Sequence, residues 1–176
     1  MPAVILDQVH WAQLEQVQLK VDGKVVYQTD EHRFGVADYW EPARKKGDCE
    51  DMALAKRARL IAMGWPADDL RIAVAVDEHG DLHAVLTVDV LSPKGTAATY
   101  VMDSRFLHVE PWKRLSEYGY TWVERAKPGS AEWSRLDTAA RPAGETVATG
   151  ALAASGPTGA MLAGLPLSSP MRVESQ

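Results

Sequence analysis

Arg44-Lys45-Lys46-Gly47-Asp48-Cys49-Glu50-Asp51-Met52-Ala53-Leu54-Ala55-Lys56 decides how the chain folds, and it carries the only cysteine, Cys49. Gly47 supplies a flexible turn, and Asp48 is a good helix N-cap. Asp51 completes something close to a capping box, with Asp where Glu or Gln is commoner. Ala53, Leu54, Ala55, Ala58, Leu60, Ile61 and Ala62 then favour a helix, with Leu54, Ala58, Ile61 and Ala62 on one face. Gly64 followed by Trp65-Pro66 ends it. Cys49 therefore opens a buried helix, where unpaired N–H groups and the positive dipole end favour a thiolate. A lone cysteine is also, often enough, a small buried hydrophobe. The carboxylates of Asp48, Glu50 and Asp51 crowd the thiol and raise its pKa. A nucleophile in that company requires a dedicated base.

Working outward, 176 residues with 46% hydrophobic content suit one well-cored domain. A formal net charge of −5 argues against nucleic acid or an anionic membrane as the partner. One cysteine excludes an internal disulfide. The start, Met-Pro-Ala-Val-Ile-Leu-Asp, has no basic leader region and its apolar run breaks at Asp7, so neither a secretory signal nor a membrane span is expected.

Upstream, residues 4 to about 20 read as an amphipathic helix, although Val17, Leu19 and Val21 also alternate as an extended segment would. Val25-Val26-Tyr27 is a short apolar stretch, Gln28 to Gly35 reads as a polar loop, and the aromatic run Val36 to Pro42 reads as a clamp holding the cysteine loop on the core. Downstream, Arg71–Val76 and residues 82 to 91 alternate as an antiparallel hairpin around Asp77–Asp81. Thr99–Asp103 is a third strand and Tyr118–Arg125 a fourth, with Tyr120 and Trp122 on one face. One helix followed by antiparallel strands is an α+β layout, a central helix packed on an antiparallel sheet. Residues 1–137 form the expected domain. Residues 138–176, rich in Ala, Gly, Pro, Ser and Thr, read as a flexible tail or an arm that binds a larger protein assembly. There is no phosphate-binding glycine loop and no four-ligand zinc spacing.

A Cys at a helix start, a His opening a strand and an acid on the next strand make a triad layout. His83 opens the second strand and Asp103 ends the third. If those strands pair, the two meet on the face toward the helix N-terminus. Asp89 is the alternative acid, on the same face of the strand as His83 but too far along it. The backbone N–H of Cys49 would be one oxyanion donor, and a second must come from the upstream loop.

The run Tyr27…Asp30…Phe34-Gly35-Val36-Ala37-Asp38-Tyr39-Trp40…Pro42…Gly47-Asp48-Cys49-Glu50-Asp51-Met52-Ala53…Lys56 resembles the bacterial transglutaminase-like cysteine peptidases, including their LapG-type members. So do Gly64…Pro66…Leu70-Arg71, His83-Ala84-Val85-Leu86 and Tyr100-Val101-Met102-Asp103. The resemblance covers roughly residues 20 to 125. It implies a papain-like, transglutaminase-type fold and a thiol peptidase or amidase acting on a protein or peptide. Cys49, His83 and Asp103 would be its nucleophile, base and orienting acid. In calcium-dependent members the acids beside the cysteine bind the ion, and Asp48, Glu50 and Asp51 match those positions; the alternative is helix capping plus solvation. Ser104 stands where the family pattern has Asn. With no leader in view, the expected setting is cytoplasmic, or a virion if the chain is phage-encoded, and periplasmic only if a signal was removed. The competing expectation is a quiet family member that serves as a structural module of a larger assembly.

Overall fold

The computed structural model describes residues 4–136. The low-complexity stretch from residue 138 lies outside them, and with it the expected tail or arm. Helix α1 (Gln8–Asp22) starts at Asp7, whose carboxylate accepts the His10 N–H at 2.9 Å. The four preceding positions of the expected helix differ. Val4 and Leu6 run alongside Leu91 in backbone hydrogen bonds of 2.8 Å, so Asp7 is a true boundary. At the other end the helical alternative holds: Leu14, Val17, Gln18 and Val21 are buried on one stripe.

Strand β1 (Val26–Tyr27) pairs in parallel with β2 (Lys46–Gly47). This places Gly47 in a strand rather than a flexible turn. A side chain there would meet Asp51 Cβ at 2.7 Å and Ala43 Cβ at 2.9 Å. Between the two strands, the expected polar loop holds a short helix, α2 (Asp30–Phe34), closed by Gly35 at φ 71°. Five residues are too few to display a helical period. Of the aromatic run that follows, Trp40 does the clamping, edge-on to Trp133 at 5.9 Å, while Val36 and Tyr39 are exposed.

Helix α3 (Cys49–Ala62) stops as expected, with Gly64 at φ 95° and Trp65 N–H returning to Leu60 O at 3.1 Å. The buried face is not the one an apolar count selects. Met52, Ala53, Ala55, Lys56 and Leu60 are buried, whereas Ile61 and Ala62 are exposed. Counting apolar residues misses Lys56, whose aliphatic stem packs in that stripe.

The sheet comprises β3 (Leu70–Val76), β4 (Leu82–Leu91), β5 (Ala97–Met102), β6 (Glu110–Pro111), β7 (Thr121–Ala126) and β8 (Trp133–Arg135). Its antiparallel order is β6-β5-β4-β3-β7-β8. The hairpin is as expected, in register from Leu70↔Val88 to Val76↔Leu82. The expected fourth strand is shorter at its start, because Tyr118 ends another helix, α4 (Trp112–Tyr118), and β7 lies beside β3 rather than β5. Leu70, Ile72, Leu86, Val88 and Met102 form one core with α1 and α3. Ala73, Val85, Val101, Leu115, Tyr120 and Trp122 form a second core. The observed architecture is thus the expected α+β one, a helix packed on an antiparallel sheet.

Candidate active site

Three elements converge on one cleft. Cys49 is the first residue of α3, His83 the second of β4, and Asp103 the first residue past β5. Pairing of β4 with β5, Leu86 opposite Met102, brings the strand ends together. His83 Nε2 lies 2.8 Å from Asp103 Oδ1, with both residues buried. A carboxylate only accepts, so Nε2 carries the proton and Nδ1 is the basic nitrogen. Asp103 also accepts the Tyr120 hydroxyl at 2.7 Å and the Arg105 N–H at 2.8 Å. Burial alone pushes its carboxyl up, but the hydrogen bond and charge of His83 and these two donors hold it below the ordinary value. Asp89, the alternative acid, is engaged elsewhere, with Arg71, Arg125 and Thr99.

Cys49 lines the same open cleft of about 420 Å³, with Tyr27, Met52, Leu82, His83 and Ser104. Its thiol is aimed at Glu50 Oε2, 3.2 Å away, and accepts the Ala84 N–H at 3.5 Å. Among the described residues no hydrogen bond joins it to His83. Burial pushes the thiol pKa up, and the neighbouring Glu50 and Asp48 charges push the same way. The structure thus joins His83 to Asp103 and sets Cys49 beside them, turned toward the acids.

Contrary to the expectation from sequence, Asp48 and Asp51 do not cap the helix. Asp48 Oδ2 accepts the Asp30 N–H at 3.1 Å. Asp51 accepts the Glu41 N–H at 2.9 Å through one oxygen and pairs with Arg33 through the other. Tertiary donors have displaced the local ones, which leaves α3 without a side-chain cap. The cluster is short of positive charge. Burial and then Asp48 push Glu50 up to about 9, and burial pushes Asp51 up to about 6 despite Arg33. Asp48 Oδ1 is buried with no hydrogen-bond partner. Asp30, Asp38 and Glu50 offer oxygens within 4.8 Å of one another, as do Asp30, Asp48 and Asp51. Oxygen-only donors, an orphaned carboxylate oxygen and unbalanced charge fit a hard dication such as calcium. Asp48 Oδ1 is the orphan, whereas both oxygens of Asp30 and of Asp51 already have partners within the protein.

Sequence reasoning missed Asp30 and Asp38 as members of this cluster, and Tyr120 as a partner of Asp103. An acid set in an aromatic, apolar run is a signal for Asp38, whereas Asp30 sits in a polar stretch that carries none. For Tyr120 the signal is that a buried tyrosine hydroxyl needs an acceptor.

The family model described as bacterial transglutaminase-like cysteine proteinase matches residues 1–141. Among solved structures, Legionella pneumophila LapG is similar at a TM-score of 0.53 and 28% identity, over 66% of this chain and 64% of LapG. Its EGTA-treated form gives 0.57 and 26%, over 72% of this chain and 67% of that one. Its calcium-bound form gives 0.56 and 25%, over 73% and 72%. In the first of these alignments the chain spans less than two thirds of LapG's length. No curated protein matches the chain significantly. Among the described residues, no helix is long and apolar enough to cross a membrane.

Proposed function

The chain belongs to the bacterial transglutaminase-like cysteine proteinases, and on that premise we propose that it hydrolyses amide bonds of a protein or peptide substrate with Cys49, His83 and Asp103. The observation that carries the proposal is the 2.8 Å contact between His83 Nε2 and Asp103 Oδ1 in the cleft that Cys49 lines. With Nε2–H committed to Asp103, Nδ1 takes the thiol proton once the Cys49 side chain rotates away from Glu50. The thiolate attacks the carbonyl carbon, and the N–H groups at the uncapped start of α3 face the developing oxyanion. The His83 imidazolium then gives its proton to the leaving amine, and a thioester to Cys49 remains. A water that surrenders its proton to His83 hydrolyses that thioester and returns the thiol.

Carboxylates of the cluster Asp30, Asp38, Asp48, Glu50 and Asp51 would hold calcium. LapG, a similar protein, is known in calcium-bound and EGTA-treated forms. Bound there, the ion would supply the positive charge that the carboxylates beside the nucleophile lack.

The test is digestion of a proteome-derived peptide library by the full chain in calcium, with new termini read by mass spectrometry. New termini that vanish with Cys49→Ala support the proposal. A library left uncut by the wild type, or cut equally by Cys49→Ala, overturns it.

A further inference from the structure

Asp103 is held from three sides, and the holds are unequal. Its backbone is anchored by Gln18, fully buried, whose side-chain amide donates to Asp103 O at 2.6 Å and Phe106 O at 2.8 Å. What remains to be set is the rotation of the carboxylate. Oδ1 accepts from two groups, His83 Nε2 and the Arg105 N–H. Oδ2 is bonded by Tyr120 alone among the described residues.

The tyrosine is itself immobilised. It is buried just ahead of β7, with its N–H on Leu115 O at 3.0 Å. Its ring stands edge-on to His83 at 6.2 Å and to Trp122 at 5.9 Å, with the Arg105 guanidinium 5.9 Å from its centroid. Arg105 Nη1 also donates to the hydroxyl oxygen at 3.3 Å, leaving the hydroxyl proton for Asp103. A phenol fixed at both its ring and its oxygen sets the carboxylate's angle more tightly than solvent would.

We propose that Tyr120 is a positioning residue of the peptidase site, aiming Oδ1 of Asp103 at His83 by holding Oδ2. The proposal rests on the triad reading above. It assigns Tyr120 no contact with substrate, so substrate binding should not depend on the hydroxyl.

Tyr120→Phe in the full chain, assayed in calcium on a peptide the wild type cleaves, tests it. The expected result is a kcat lowered roughly 10- to 100-fold, the scale of losing a hydrogen bond to a charged group, with KM unchanged. In an Asp103→Asn background the same substitution should cost nothing further, because Tyr120 acts through Asp103. An unchanged kcat, or an equal loss in the Asp103→Asn background, overturns the role alone. Absence of Cys49-dependent turnover in the wild type overturns both the role and the peptidase reading. If Tyr120→Phe does not fold, 3-fluorotyrosine at position 120 keeps the ring and strengthens the donor. It must then shift the Nε2–H proton resonance of His83, and an unmoved resonance overturns the role.

Discussion

Lys56, on the same helix as Cys49, is buried with its ammonium 2.8 Å from one oxygen of Asp22 and 3.0 Å from the other. The pair ties α3 to the last residue of α1 beneath the cleft. Burial pushes the lysine pKa down, and the Asp22 charge opposes that shift. Removing one member of a buried pair leaves the other uncompensated. Lys56→Met should therefore destabilise the fold by about 3 kcal/mol in urea titrations. The double variant Lys56→Met/Asp22→Asn should recover much of that loss. An unchanged midpoint in the single variant would contradict this account of the helix pair.

Calcium should raise the melting temperature. Ligand that binds only the native state adds about 2.7 kcal/mol at one hundred times its dissociation constant. EGTA should reverse the rise, and both Glu50→Gln and Asp30→Asn should abolish it. Glu117→Gln, at an exposed position of α4, should respond as the wild type does. Melting that ignores calcium and chelator alike would leave the carboxylate cluster to Arg33 and protons.

Acid should act partly through Asp103, whose native pKa lies below the ordinary 3.8. Between the native value and 3.8 the unfolded chain binds the proton more readily. Stability from this group is therefore complete above about pH 4 and drains away as pH falls through the native value. Asp103→Asn should flatten the acid limb of stability against pH by at most about 1.4 kcal/mol per pH unit. If the limb keeps its slope in that variant, Asp77 and Asp89, whose pKa values are also lowered, account for the acid sensitivity instead.

Much of the site was legible because its signals are local. Alternation revealed the β3–β4 hairpin, and with it the position of His83 at a strand start. Gly64-Trp65-Pro66 marked the end of α3, and the distance along the strand from His83 separated Asp103 from Asp89. The rest depends on partners distant in sequence. Asp48 and Asp51 look like caps from their own neighbourhood, but Asp30, Glu41 and Arg33 claim them from another segment. An apolar count passes over Lys56, whose burial makes sense only once Asp22 is placed beside it. The helices α2 and α4 span too few turns to show a period, and no local pattern says that β7 pairs with β3. The hold of Tyr120 on Asp103 is of the same kind, a contact made only once the sheet has closed.

The most direct test of the central claim is the rate of Cys49 alkylation by iodoacetamide near pH 6, with calcium present. A thiol that surrenders its proton to His83 should react far faster there than an ordinary thiol of pKa about 8.5. That excess should disappear in His83→Ala and shrink in Asp103→Asn, each checked for an unchanged fold by circular dichroism. A wild-type rate equal to that of an ordinary thiol, and unaltered by His83→Ala, would contradict the assignment of Cys49 and His83 as nucleophile and base.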